Sequence, residues 1–306
     1  MELNKKGNFR SGYAAVVGRP NVGKSTLINA LLGQKIAAVS SKPQTTRLKQ
    51  LGILTLSDAQ IIFIDTPGLH IPRHKLGTGM NALAEQALTE ADVVVWLVDI
   101  SQMPHSEDEL ITEKMANLDK LPPVIQVLNK IDLVRQHDQN DRIKKYQDLF
   151  PAVEQVAVSA LQGEGLDTLL LKIITLLPEG DPYYPSDQLT DYFERDIAAD
   201  LIREAALDHL REEVPHAVAV RVDQYQERGE QGAMISATLF VEKESQKGIV
   251  IGKGGEMLKA IGTSARKAIE VMSGKKIFLE LRVKVSKNWR TNSSFLRQMG
   301  YPDTDQ

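Results

Sequence analysis

Eight residues, Gly18-Arg19-Pro20-Asn21-Val22-Gly23-Lys24-Ser25, constrain this chain more than any other stretch. An apolar run, Tyr13 to Val17, leads into them, and Thr26 to Leu32 continues with helical spacing. A strand, a glycine-bounded loop ending in Lys-Ser, and a helix form the context of a phosphate-binding loop. The chemistry behind it is anion capture. Glycines let successive backbone N–H groups turn inward, and the helix N-terminus adds its positive dipole end. Lys24 is expected to reach the β- and γ-phosphates, and the Ser25 hydroxyl to ligate Mg²⁺. The chain is therefore expected to bind a nucleoside triphosphate.

The 306 residues suggest two domains. With 42% apolar and 25% charged residues the composition is that of a globular protein with real cores. The absence of cysteine excludes disulfides, thiolate metal sites and a cysteine nucleophile. The longest wholly apolar run, Val93 to Val98, is far too short to span a membrane. Met1 to Ser11 is basic but runs straight into the first strand, which argues against a cleaved signal peptide. Charge is distributed unevenly. Residues 243–297 carry 13 Lys/Arg against 4 Asp/Glu, although the whole chain is at −3. A basic back on an acidic front points to a polyanion as partner, with a solvated basic face as the plain alternative.

Residues 34–49 lack a periodic apolar face and read as a mobile loop. A hairpin of Leu51–Leu56 and Ile61–Ile64 follows, then helical spacing over 76–88 and a wholly apolar strand over 93–98. A helix over 110–118, a strand over 124–128 and a further helix–strand–helix unit complete an alternation that predicts a doubly wound, mostly parallel α/β sheet. Three prolines within residues 178–187 break it and read as an extended connector. Beyond lie a long helix (191–213), strands over 217–222 and 233–241, two helices divided at Ile251-Gly252-Lys253-Gly254-Gly255, and a strand over 277–285. That α-β-β-α-α-β order is an α+β domain. The expected boundaries are residues 1–177, a linker at 178–190, and 191–306.

Further phosphate and base signals follow strands in the first domain. Asp65-Thr66-Pro67-Gly68 places a carboxylate where it can hold Mg²⁺ through water, and the Gly68 N–H where it can meet the γ-phosphate. In Asn129-Lys130-Ile131-Asp132 the Asp132 carboxylate can accept both N–H groups of guanine's Watson–Crick edge, a pair adenine does not offer. Such a site rejects the wrong base by about 10⁴-fold or more. The Lys130 stem can cover base or ribose, and Asn129 can bond the guanine edge and brace the phosphate loop. Ser159-Ala160 can offer a backbone N–H to guanine O6. Asp99 reads as a strand end rather than a catalytic group. His70 and His74, four apart, mimic a metal pair but lack a third ligand and read as solvated.

These residues resemble the translation-factor-related class of P-loop GTPases, with the five nucleotide boxes at 18–25, 44–47, 65–68, 129–132 and 158–160. Thr45-Thr46 before Arg47 is similar to the switch-I element of the Era, TrmE and EngA group. By that resemblance Thr46 closes on Mg²⁺ beside Ser25 and Asp65, with Thr45 as the other assignment. It also implies Lys24, Asn21, Thr46 and Gly68 as the catalytic set, and Gly18 to Thr26, Asp65 to Gly68, Asn129, Lys130, Asp132, Ser159 and Ala160 around GTP. Ras-type enzymes orient the attacking water with a glutamine after the switch-II glycine. Here that position is Leu69, so water must be positioned otherwise. Turnover is expected near the unassisted Ras rate or a few tens of times faster. Asn21 matches an asparagine that some relatives use to hold K⁺ against the phosphates; the alternative is that it only shapes the loop.

In the second domain, a Gly-x-x-Gly turn between helices brings main-chain N–H groups and helix dipoles within reach of a nucleic-acid backbone. Lys253 adds a mobile charge, and Ile249, Ile251 and Ile261 are expected to line a shelf for unpaired bases. With the element order and the basic charge, the domain resembles a type II KH domain, which narrows the match to the Era branch. Gly252, Lys253, Gly254, Gly255, Ile251, Lys259, Arg266 and Lys284 are the expected RNA contacts, and Trp289 either stacks on a base or packs inside. The resemblance implies RNA rather than DNA: the single-stranded 3′ end of small-subunit ribosomal RNA, with a role in small ribosomal subunit maturation. It also implies a cytoplasmic place, with peripheral membrane contact in some relatives. Two other classes stay open. One is a signalling module that keeps GTP as a structural ligand; the other, an ATP-using kinase, is opposed by Asp132.

Overall fold

The computed structural model describes residues 9–302 except 41, 43, 44, 153, 230 and 231. Gln44 of the switch-I box and the basic stretch before residue 9 lie outside the described residues. The chain divides into two compact units: residues 1–33, 49–71 and 81–191 form the first, and 34–48, 72–80 and 192–306 the second.

The first unit is a six-stranded sheet in the order β2-β3-β1-β4-β5-β6. Its strands are β1 (Arg10–Val17), β2 (Gln50–Thr55), β3 (Ala59–Asp65), β4 (Val93–Asp99), β5 (Val124–Asn129) and β6 (Glu154–Val158). All neighbours run parallel except the β2–β3 hairpin. Every residue of β3, β4 and β5 is buried, which is why these strands read as largely apolar runs, broken only by Gln60 and Gln126 before their polar ends, rather than as alternations. Helices α1 (Lys24–Leu32), α2 (Lys75–Glu90), α3 (Ser106–Ala116), α4 (Gln136–Gln147) and α5 (Leu166–Leu176) occupy the connections. The chain leaves β1 to pair it with β3 on one side and β4 on the other. Such a reversal of strand order opens a crevice at the strand ends, where ligands bind in sheets of this kind.

The connector after α5 is not a free tether. Buried Gln60 accepts the N–H groups of Tyr183 and Tyr184 (2.7 and 2.9 Å) and donates to the Tyr184 carbonyl (2.8 Å). Ile53 N–H donates to Leu189 O, and Thr190 Oγ1 to Leu51 O at 2.6 Å. The prolines stop the helix as expected, but the strand-edge polar groups then bind the extended chain.

The second unit carries a three-stranded sheet in the order β7-β8-β9: β7 (Ala219–Glu227) antiparallel to β8 (Ala233–Val241), and β8 parallel to β9 (Ile277–Val285). Helix α6 (Glu194–His209) stops four residues short of the periodic signal, because Glu212 takes a left-handed backbone and Pro215 follows. Ile197, Leu201 and Ile202 of α6 and Ile261, Ala265 and Ile269 of α8 (Glu256–Ser273) share one core with Ile235, Ala237 and Leu239 of β8. With α7 (Glu244–Ile251) this is the α-β-β-α-α-β order of a type II KH domain. A helix that the periodicity did not reveal, α9 (Ser293–Gln298), is capped by Asn292, whose side chain accepts the Phe295 N–H. Its Leu296 joins Trp289, Tyr301, Phe240, Leu76 and Met80 in a second small core.

Among the described residues of 34–48 there is no regular element, as expected, yet they are not loosely held. Ile36, Ala37 and Ala38 are buried. Lys35 pairs with Glu204 at 2.7 Å, Ser40 bonds Asp208, and Lys42 donates to the Leu207 and Leu210 carbonyls. Arg47 is 3% exposed, donates to Val218 O at 2.8 Å and lies over the Trp289 ring at 5.5 Å. Burial lowers its guanidinium to about 10.

Candidate functional site

The phosphate loop lies between β1 and α1. Gly23 has φ +104°, and a Cβ there would stand 2.5 Å from Asn129 Nδ2, so only glycine lets the loop close on the end of β5. The Lys24 ammonium is buried and donates to the Gly18 and Arg19 carbonyls at 3.2 and 3.0 Å. Desolvation lowers it to about 8, and Asp65 acts in the opposite sense. A lysine held this way is primed for a polyanion, whose charge would restore its ordinary proton affinity.

Below the loop, Ser25 Oγ donates to Asp65 Oδ2 at 2.8 Å, with Asp65 1% exposed. A hydroxyl beside a single carboxylate is an all-oxygen donor pair. It fits Mg²⁺, which takes one or two carboxylates and completes its shell with phosphate and water. No group of three His, Cys, Asp or Glu side chains able to hold a metal occurs among the described residues. Thr46 is half-buried in the segment that packs with the second unit, whereas Ser25 and Asp65 belong to the first.

The Asp-Thr-Pro-Gly stretch is fixed from two sides. Thr66 Oγ1 donates to Val16 O at 2.7 Å, so this hydroxyl clamps the end of β3 to β1 rather than serving a ligand. Leu69 N–H donates to Gly18 O, and the Leu69 side chain is wholly buried in the core. His70, expected to be solvated, is 8% exposed instead. Its Nδ1 meets Gly68 O at 2.8 Å, which makes that nitrogen the donor, and Asn81 bonds both its N–H and its carbonyl. His74 is exposed.

Asn129 ties three loops. Its Nδ2 donates to Val22 O at 2.7 Å, and its Oδ1 accepts the Ala160 N–H at 3.0 Å. The bracing role expected of it is present. Of the Ser159-Ala160 backbone N–H groups expected to serve guanine O6, that of Ala160 is engaged by Asn129 and that of Ser159 by Glu164 O, so a base must share those donors. Asp132 sits exposed on a 3-10 turn, Ile131–Leu133. Lys130 spans back to Asn21 O at 2.9 Å. Both residues have a left-handed backbone (φ 65° and 63°), a conformation that costs about 1–2 kcal/mol each and clusters at functional sites.

Sequence reasoning missed what holds these loops. Asp99, read as a strand end, accepts Lys130 Nζ at 2.7 Å. The Arg19 side chain, counted with the GTP contacts, turns away into a buried pair with Asp108 at 3.4 Å. Only its carbonyl serves Lys24. An acidic residue directly after an apolar strand, with another at the third position of the next helix, was the available signal.

In the second unit, a groove of about 440 Å³ runs from Gly255 along Leu258, Lys259, Gly262 and Arg266 to Leu279 and Leu281. Gly252 has φ +75°, and a Cβ there would lie 2.7 Å from the Met257 Cβ. That forces glycine at the start of the turn, while Lys253 and Gly254 are exposed at its tip. Two expectations need correction, and the two alternatives for Trp289 are decided. Ile261 is fully buried in the α6–α8 core, so Leu258, Leu279 and Leu281 form the apolar wall instead. Lys284 alternates onto the strand face opposite Leu279 and Leu281 and is not part of the groove. Trp289 is packed: it is wholly buried and donates its indole N–H to Ala217 O at 2.8 Å. Ile251 is half-buried at the end of α7.

A phosphate-binding loop, an Asp-Thr-Pro-Gly strand end and an Asn-Lys-Ile-Asp strand end on one sheet, ahead of a KH domain, are the plan of a two-part P-loop GTPase. Comparison with known proteins narrows this. The family model described as 50S ribosome-binding GTPase matches residues 13–130, and the KH domain model matches 213–290. The GTPase Era of Staphylococcus haemolyticus is 47% identical over 292 residues, 95% of this chain and 97% of that protein. Two solved Era structures superpose with TM-score 0.90 at 40% identity, covering 96% of this chain and 99% of theirs. One is Era in complex with MgGDPNP and nucleotides 1506–1542 of 16S ribosomal RNA; the other is an Aquifex aeolicus Era variant bound to GDP.AlF4-. The chain belongs to the GTPase Era family and is a GTPase.

Proposed function

We propose that this GTPase is a switch that grips the single-stranded 3′ region of small-subunit ribosomal RNA with its KH domain and acts in small-subunit assembly. The observation that carries the RNA reading is the groove beside the Gly252–Gly255 turn, lined by Lys259, Arg266 and Leu258 of α8 and by Leu279 and Leu281 of β9. Cations suit a sugar–phosphate backbone, and an apolar floor suits unstacked bases. The likeness to an Era bound to 16S ribosomal RNA supports the small subunit as the site of action, although the broader family description refers to the 50S particle.

In the first unit, Lys24 stabilises the charge that develops on the transferred phosphoryl group, and Ser25 with Asp65 provides the Mg²⁺ site. Mg²⁺, when bound, neutralises the β- and γ-phosphate oxygens. Thr46 joins that site when switch I closes, with Gly68 N–H on the γ-phosphate. With Leu69 buried, no glutamine orients the water, so intrinsic turnover is slow. Asn21, with its strained backbone beside the phosphates, is the candidate K⁺ holder; equal rates in K⁺ and Na⁺ would remove that role. The domains are expected at 1–177 and 191–306, with 178–190 between them. The site of action is the cytoplasm, with peripheral contact at the membrane's inner face. No helix among the described residues is long and apolar enough to cross a membrane.

The test is GTP hydrolysis with and without a short single-stranded RNA ending like small-subunit ribosomal RNA. Stimulation by RNA that disappears in Gly252→Asp/Lys253→Asp supports one RNA-sensing switch. A protein that binds GTP but no RNA returns the reading to a signalling module.

A further inference from the structure

We propose that Asp99, with Asp108 behind Arg19, is a positioning residue that holds the phosphate loop and the base-reading loop in one register, and so sets guanine-nucleotide affinity. Two acids and two bases meet between these loops. Asp99 Oδ2 accepts Lys130 Nζ at 2.7 Å and lies 3.9 Å from Arg19 Nη2. Asp108 Oδ2 faces Arg19 Nε at 3.4 Å and accepts the His105 N–H at 2.9 Å. Exposure of Asp99 and Asp108 is 1% and 0%, and Arg19 is 9% exposed.

The set carries two acids against two bases, so losing Asp99 leaves the part-buried Lys130 ammonium without its carboxylate and the buried Arg19 with Asp108 alone. Asp99 is itself immobilised. Its Oδ1 accepts the Ser101 N–H at 3.0 Å and the Ser101 hydroxyl at 2.5 Å, and Tyr146 holds its carbonyl at 3.1 Å. The fixed carboxylate aims Lys130 Nζ, which in turn donates to Asn21 O. Asn21 and Lys130 are two residues held in the left-handed region without being glycine. The network runs from the end of β4 to both strained residues, and Arg19, adjacent to Pro20 and Asn21, is fastened to the same acids. Phosphate and base recognition therefore share one mechanical support. Loss of that support is expected to weaken GTP and GDP alike, because neither contact involves the γ-phosphate.

The experiment uses the full chain with Asp99→Asn, Lys130→Met and the double variant. Dissociation constants for fluorescent GDP and a GTP analogue are measured beside kcat at saturating GTP. Asp99→Asn is expected to weaken both nucleotides at least tenfold by the same factor, with kcat lowered less than threefold. In the Lys130→Met background the same substitution should cost less than threefold more. Unchanged affinities with a lowered melting temperature would mean that Asp99 only stabilises the fold, and would overturn the proposal. Full multiplication of the two effects would overturn it as well. Should Asp99→Asn fail to fold, Asp108→Asn decides: affinity loss of threefold or more for both nucleotides supports the coupling, and unchanged affinity refutes it.

Discussion

Replacing Asn129 by alanine removes one side chain from three loops at once. The amide donates to Val22 O at 2.7 Å and accepts the Ala160 N–H at 3.0 Å, and Asn129 is 2% exposed. Val22 and Ala160 are themselves 0% and 4% exposed, so water does not readily replace the lost partner. Leaving a buried donor or acceptor unsatisfied costs about 1–3 kcal/mol. Two of them give about 2–6 kcal/mol for Asn129→Ala. The Gly23 backbone also packs against this amide, so the space left behind adds to that cost. If the loops relax outward to regain water, the loss appears in nucleotide affinity instead of stability, at tenfold per 1.4 kcal/mol. Urea unfolding of the nucleotide-free protein and dissociation of a fluorescent GDP analogue together capture both routes. The exposed Asn117→Ala serves as control and should stay within about 0.5 kcal/mol. A combined change below about 1 kcal/mol for Asn129→Ala would refute the bridging role.

The depressed Lys24 value predicts proton linkage. Below about 8 the buried ammonium is charged at a cost to the fold, and that penalty is relieved as pH rises from 8 towards 10.5. Nucleotide phosphates favour the charged form. Binding at pH 9 should therefore take up close to one proton and binding at pH 7 close to none; calorimetry in buffers of different ionisation enthalpy that finds equal uptake would contradict this. Neutralising Lys259 and Arg266 as glutamines should lower the salt slope of single-stranded RNA binding by about 1.4, read from titrations at several salt concentrations. Trp289→Ala should cost about 3–5 kcal/mol in urea unfolding, as expected for a packed indole rather than a base-stacking one.

The sheet and its helices were legible because burial on both faces leaves an unmistakable pattern: Val93 to Val98 has no polar residue to interrupt it. The nucleotide motifs were legible because each is local, a few residues at a strand end. What stayed hidden is long-range. Nothing near Arg47 in the sequence announces Val218 or Trp289 as its partners, about 170 and 240 residues on. Asp99 looks like any acid closing a strand until the fold brings Lys130 and Arg19 to it. One shelf residue, Ile261, is misassigned for a local reason. Helix periodicity identifies an apolar face but not which neighbour covers it, so Ile261 was sent to the groove when it belongs to the core.

The most direct test of the two-part switch is fluorescence anisotropy of a labelled oligonucleotide carrying the 3′-terminal sequence of small-subunit ribosomal RNA. It is titrated with the full chain loaded with a non-hydrolysable GTP analogue, at two salt concentrations. The account predicts saturable binding that weakens with salt and is lost in Gly252→Asp/Lys253→Asp. Binding that survives that double substitution unchanged, or no binding by the unaltered chain, would contradict it.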